Sequence, residues 1–150
     1  MRIFTRRNGD LYEKTGNYLW DSAANVAESW NEAIRQDGRL NKALTETDIK
    51  GVMGKTMDVI AKLLFPEISE KEQETLLAEC CRIENDYLRE HGGVLYPDLE
   101  DTFKELKKTY ELYIVSNCQK GYIEAFLDHY HFWDYFSDIE CYGNNLLQKG

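Results

Sequence analysis

No stretch of the 150-residue chain approaches the roughly 20 consecutive apolar residues that a helix needs to cross a bilayer. No apolar region follows the charged residues at the start, as a secretory signal would require. Positive charge is also scarce. Lys and Arg number 18 against 27 Asp and Glu, for a net charge of −9, and "TRRNG" and "ELKK" are the only local basic clusters. A nucleic-acid face needs a basic stripe to meet phosphates, so that class of partner is excluded along with membranes, and a solvated acidic surface is expected. Metal-binding cysteine spacing is absent too: Cys80, Cys81, Cys118 and Cys141 form no CxxC pair. Vicinal Cys80 and Cys81 fall in a helical pattern, as small core or boundary residues would. A reduced, cytoplasmic protein is the expectation. The chain shows no internal repeat and no low-complexity segment.

What is present suffices for a folded core: 43% of residues are hydrophobic and 13% aromatic. The length fits one domain, or one domain with a small insert. The first twelve residues read two ways. Asn8–Gly9 between partly alternating stretches is a hairpin signal, while "RIF" could equally be the end of a strand. From Ser22 the pattern turns helical. Ser22 can cap a helix with Val26, Trp30, Ala33 and Ile34 on its apolar face, ending near Asp37–Gly38. A second helix is expected from Thr45, with Asp48 completing a capping box. Its stripe is Ile49, Val52, Met53, Ile60 and Leu64, and Pro66 stops it. A third opens at Ser69–Glu72, carries Leu76, Leu77, Cys80, Ile83, Tyr87 and Leu88, and ends at Gly92–Gly93. Three amphipathic helices without an intervening strand predict a small helical unit.

After Gly93 the pattern changes. "VLYPDLEDTFKELKKTY" reads as a loop and a helix with Leu99, Phe103 and Leu106 on one face; "ELYIVSN" reads as a buried parallel strand. "CQKGYIEAFLDHY" is a helix with Tyr122, Phe126 and Tyr130 on one side, and "FSDIECYG" is a further strand. Helix–strand–helix–strand is the order of an open α/β sheet, with parallel strands expected at 112–116 and near 138–142.

The segments "LWDSAANVAESWNEAI", "MGKTMDVIAKLLFP", "VLYPDLEDTFKELKKTYELYIVSNCQKGYIEAFLDHY" and "YFSDIECYG" together resemble the haloacid dehalogenase superfamily, and more narrowly its phosphoglycolate-phosphatase-like members with a helical cap. The resemblance covers about residues 19–150. It implies an α/β fold: an incomplete Rossmann-type core from residues 1–21 and 91–150, with residues 22–90 inserted as a helical cap. It also implies a phosphomonoester phosphatase. In the family an aspartate at the tip of the first strand attacks the phosphoryl group, and a second, two residues on, serves as general acid and base. Mg²⁺ completes the site, and a Ser/Thr and a Lys hold the phosphoryl oxygens.

Carried onto this chain, the first motif keeps only its end: Leu19, Trp20, Asp21 and Ser22 match. Counting back puts Lys14 at the nucleophile position, Gly16 at the acid/base position, Asn17 at the glycine and Tyr18 at the threonine. A lysine cannot form the acyl phosphate and would repel Mg²⁺. Shifting the register to Asp10 or Glu13 breaks the match and restores no Asp-x-Asp pair. No catalytic residue and no metal ligand is therefore assigned, and Mg²⁺, expected for the family, has no evident site. The second motif matches at Ser116 and Asn117. There a phosphate would meet a hydroxyl, backbone N–H groups and the positive end of the next helix; Ser116-x-x-Gln119 is also a plain capping box. The resemblance places the third-motif lysine at Lys149, which is otherwise an ordinary solvated lysine. The chain ends before the place of the acidic fourth motif.

The other candidates are weaker. His129 and His131 lie two apart on a helical pattern and face different sides, so they do not share a metal. His91 suits a helix C-terminus. Asp21 lies by the cap hinge or simply precedes the Ser22 cap, and Trp20, Trp30 and Trp133 are read as packing. Three functions stay open: a phosphatase impaired by the loss of its nucleophile, a non-catalytic module binding phosphate or a small phosphorylated metabolite, and a homo-oligomeric interaction module whose unfinished sheet offers an edge to another chain. A fragment, a degenerate gene product and an altered sequence would each account for the missing motifs.

Overall fold

The protein, seen in a computed structural model, is described over residues 1–14 and 19–141, with only the backbone of residues 11–14 included. It is a mixed α/β fold. Strands β1 (Arg2–Arg7), β2 (Asp10–Lys14), β5 (Glu111–Ser116) and β6 (Asp138–Cys141) form one sheet in the order β2-β1-β5-β6. β5 and β6 are parallel, pairing Tyr113 with Asp138 and Ser116 with Cys141. Both expected parallel strands are thus present.

The hairpin reading of the N-terminus holds. Asn8 and Gly9 both have positive φ, 54° and 92°, the backbone that a tight two-residue hairpin turn demands. β1 and β2 pair antiparallel from Arg7–Asp10 at the turn to Ile3–Lys14. What the sequence did not foreshadow is where the hairpin docks. β1 runs antiparallel alongside β5, Arg2 opposite Val115 and Arg6 opposite Glu111. It buries Ile3 and Thr5 against the core, and an Arg6–Glu111 ion pair of 2.7 Å ties it at the far end. The sheet is therefore mixed, and one edge of β5 is covered by this chain's own first strand.

Two short strands, β3 (Trp20–Asp21) and β4 (Val94–Leu95), pair antiparallel where the chain leaves for the helices and where it returns. Tyr130 fastens this crossing: its hydroxyl donates to the Gly93 carbonyl at 2.6 Å and accepts from the Gly93 N–H at 3.1 Å. Between the two passages lie α1 (Ala23–Asp37), α2 (Glu46–Val52), α3 (Met57–Leu64) and α4 (Glu70–His91). The capping boxes at Thr45–Asp48 and Ser69–Glu72 are both formed. The single helix expected from Thr45 to Leu64 is instead two. Gly54 adopts φ 82°, outside the helical basin, and Thr56 restarts the chain as the N-cap of α3. The apolar stripe survives the break, because Ile49, Val52, Ile60 and Leu64 are all buried.

Ser22 occupies the N-cap position of α1, but its side chain caps nothing. Asp21 takes that task, its carboxylate accepting from the Ala23 N–H at 3.2 Å. α5 (Leu99–Lys107) and α6 (Tyr122–Tyr130) pack by the sheet, and a 3₁₀ turn at Trp133–Tyr135 leads into β6. One continuous core joins helices and sheet. Its interior includes Phe103, Leu112, Ile114, Phe126 and Leu127 on the sheet side and Trp30, Ile34, Leu76 and Leu88 among the helices. By area, burying such side chains contributes roughly 2 kcal/mol each.

Candidate functional site

β5 delivers Ser116 to its carboxyl end, where open α/β sheets place ligands. The chain does not enter a helix there. Residues 117–121 form a turn, and α6 begins only at Tyr122, with Gly121 as its N-cap and Glu124 accepting from the Gly121 N–H at 2.9 Å. The expected Ser116–Gln119 capping box is absent. Instead the Ser116 hydroxyl oxygen accepts from the Cys118 N–H at 3.3 Å, and the hydroxyl also hydrogen-bonds the Cys118 thiol. The backbone N–H groups of Gln119 and Lys120 meet no acceptor among the described residues. Asn117 reaches across to the break between α2 and α3, donating to the Gly54 carbonyl at 3.4 Å.

This turn forms one wall of a cavity of about 630 Å³. The cavity lies between the carboxyl end of β5, the start of β1 and the inner faces of α1–α4. Lys55, exposed and without a carboxylate partner among the described residues, also lines it, as does Arg2. The N-terminal amine of Met1 is there as well, and burial lowers its pKa. The remaining lining is largely apolar, including Trp20, Val26, Ile49, Val52 and Met57.

The same cavity is lined by a residue that the sequence reading passed over. Glu84, on α4, is only 8% exposed and lines the cavity. One of its carboxylate oxygens accepts a short hydrogen bond from the Trp30 indole N–H. Desolvation pushes its pKa up to about 7, and the bond to Trp30 offsets part of that rise. Glu84 falls one residue after Ile83 in the apolar stripe of α4, on its buried side with Leu77, Cys80 and Leu88. A charged residue at a core position of a helical stripe was the available signal. Beside it the Tyr122 hydroxyl shares a 2.7 Å hydrogen bond with Ser22 Oγ and accepts from the Trp20 indole N–H at 3.1 Å. Here the unused cap side chain of Ser22 finds its partner, and burial pushes the Tyr122 pKa up.

Of the residues singled out by sequence, Ser116 and Asn117 come together at the cavity. Lys149, Gly16, Asn17 and Tyr18 lie outside the described residues. Lys14 ends β2 opposite Ile3, whose other neighbour is Ile114, so β1 separates it from β5. Asp10 pairs with Arg7 at the opposite end of the sheet from Ser116 and cannot stand in for the missing nucleophile. Glu13 faces Phe4, level with Tyr113 and still one strand removed. His131 terminates α6 in a left-handed conformation, and His129 is turned toward the Arg89 carbonyl at 2.8 Å. Trp133 lies at the surface with its indole N–H on Asp128, while Trp20 packs edge-on against Tyr122, Phe126 and Tyr130. No group of three His, Cys, Asp or Glu side chains among the described residues could hold a metal ion, and Glu84 is the sole carboxylate among the cavity's lining residues. Mg²⁺ asks for near-octahedral oxygen coordination, so these residues do not fit it and no chemical step here is routed through it.

No curated protein sequence matches the chain. Among solved structures it is similar to one from Bacteroides fragilis described as a haloacid dehalogenase-like hydrolase. That likeness has a TM-score of 0.68 at 23% identity and covers 87% of this chain and 60% of the other. It is also similar to one from Clostridium difficile described as a phosphatase, with a TM-score of 0.57 at 14% identity, covering 89% of this chain and 64% of the other. Identities this low speak for the fold alone, and the chain spans less than two thirds of the length of either structure. The sequence profile of the haloacid dehalogenase-like hydrolases matches residues 17–149, nearly the whole chain, and so the protein belongs to that family.

Proposed function

We propose that this chain binds a small phosphorylated molecule, with the phosphoryl group held at Ser116, the Asn117–Lys120 turn and Lys55. The observation that carries the reading is the gathering of the Ser116 hydroxyl and two unengaged backbone N–H groups at the carboxyl end of β5, in a cavity also lined by a lysine without a carboxylate partner among the described residues. Such a nest of donors suits three phosphoryl oxygens, and membership of a family that acts on phosphate esters agrees with it. In this reading residues 22–90 act as a cap over a core formed by residues 1–21 and 91–150, and the phosphoglycolate-phosphatase-like group is the nearest functional kin. Lys149 is a further phosphate ligand on the strength of its motif position alone.

Hydrolysis by this chain is a different matter. β1 fills the place beside β5, and no described carboxylate stands next to Ser116. Losing a covalent nucleophile costs on the order of 10⁶ in rate. On this reading the chain acts as a binding module, and its turnover of p-nitrophenyl phosphate is expected to match that of Ser116→Ala, with or without Mg²⁺. Phosphate titration followed by amide NMR tests the site. Binding of roughly millimolar strength, about −4 kcal/mol, is expected, with Asn117, Cys118 and Gln119 shifting first. Shifts confined to other regions discard the site, and Mg²⁺-dependent turnover that survives repurification overturns the non-catalytic reading.

A further inference from the structure

Glu84 poses a problem that packing alone does not solve. A buried carboxyl group normally has both oxygens engaged, because an unmet acceptor in an apolar wall is costly. Only one oxygen of Glu84 meets a donor, the Trp30 indole N–H. The other has no partner among the described residues, and since no buried side-chain oxygen is left unsatisfied, it is open to the cavity that Glu84 lines. No Lys or Arg pairs with this carboxyl among the described residues. Its surroundings in the cavity are aromatic, with Trp30 and Tyr122 beside it and Trp20 close to Tyr122. The donors of the Ser116 turn and Lys55 line the same cavity, most of whose other lining residues are apolar, and Asn85, next to Glu84, donates to the Lys120 carbonyl at 3.1 Å.

We propose that the cavity has two poles and takes a phosphorylated alkylamine, whose ammonium group sits against Glu84 and the rings of Trp30 and Tyr122 while its phosphoryl group sits at Ser116. The inference rests on the anion site proposed above and adds the chemistry of the opposite end. Three alternatives fit worse. A metal ion would need several oxygen ligands, and the lining offers a single carboxylate. A hydroxyl would satisfy the open oxygen and leave the charge uncompensated. A plain alkyl chain would satisfy neither. An ammonium supplies the donor and the counter-charge together, and indole and phenol faces attract cations.

The test uses the wild-type chain and a series of ω-aminoalkyl phosphates with two to five carbons, each compared with the alkyl phosphate of the same length and with inorganic phosphate, by calorimetry. At one length the amine binds at least tenfold tighter than its alkyl counterpart. In Glu84→Gln that advantage disappears, while inorganic phosphate keeps its affinity within about twofold. If no length shows an advantage in the wild type, the proposal is wrong, whatever the variant does. n-Butylammonium, which lacks phosphate, is titrated in parallel while the Trp30 indole N–H signal is observed. A shift in the wild type that is lost in Glu84→Gln supports the ammonium pole even if inorganic phosphate does not bind, in which case it is the Ser116 site that fails. With no shift and no length advantage, the Glu84 carboxyl is structural and the proposal falls.

Discussion

The two walls of the cavity are built on opposite principles. The Ser116 wall is made of local backbone: a strand end, five turn residues and the start of a helix, with polar groups partly open to water. The Glu84 wall is made of tertiary packing, in which α1 and α4 bring together Trp30 and Glu84 from 54 positions apart in the chain. The first can lose a side chain cheaply, since water replaces the missing partner. The second holds a polar pair away from water, so each partner depends on the other. In the proposed reading, binding by the first wall is weak and unselective, and the second is where discrimination among ligands arises.

Substitution at the buried wall gives the largest expected effect. Trp30→Ala removes a side chain that is 4% exposed and also takes away the only donor to Glu84 among the described residues, so it destabilises the fold by about 3–5 kcal/mol in urea unfolding. A loss below about 1 kcal/mol would mean that the two walls do not differ as argued. Next comes pH. The carboxyl of Glu84 titrates near 4.5 when unfolded and near 7 when folded. The folded state therefore holds the extra proton between those values. Its contribution is fully present below pH 4.5 and is lost as pH rises through 7, a change of about 3 kcal/mol that Glu84→Gln abolishes. Comparing wild type with the variant at pH 4.5 and 7.5 isolates it from the other acids, and parallel curves would refute it. Tyr122, Cys80 and Cys81, the other ionisable groups that sense Glu84, have their pKa values raised by burial, so all three stay neutral throughout this window.

The segment joining the walls should respond less. Gly54→Ala forces a side chain into the left-handed region at φ 82° with no steric contact nearby, costing about 1 kcal/mol. The smallest effect falls on the open wall. Ser116→Ala should move stability by less than about 0.5 kcal/mol while weakening phosphate binding roughly three- to tenfold. If Ser116→Ala unfolds the protein instead, the hydroxyl is structural and the contrast between the walls is lost.

The same contrast explains what the sequence disclosed. Much of what neighbours along the chain set was legible: the capping boxes at Thr45 and Ser69, the Asn8–Gly9 hairpin as one of two readings, the parallel pair expected at 112–116 and near 138–142, and Ser116 at a strand end. Features decided by distant partners were not. Ser22 looked like a side-chain cap because nothing local shows that Tyr122, 100 positions on, takes its hydroxyl. Glu84 was hidden for the same reason, since its buried, Trp30-bonded state exists only once α1 and α4 meet. The break at Gly54 was a local signal outweighed by an apolar stripe that continues through it. The docking of β1 beside β5 had no local sign, because a hairpin's own turn says nothing about which strand it will join.

That docking imposes an order of events on folding. The β1–β2 hairpin closes over a handful of residues and can form as soon as they leave the ribosome, on a microsecond timescale. Its partner strand lies more than a hundred residues later, with Arg6 and Glu111 separated by 105 positions, so β1 waits through the synthesis of every helix from α1 to α5 before it can pair. During that interval its outer edge is a bare row of donors and acceptors, and the nascent chain must rely on Arg2, Arg6 and Arg7 to discourage edge-to-edge pairing with its neighbours. Charge along that first strand thus guards solubility early in the protein's life, before the same strand closes the sheet.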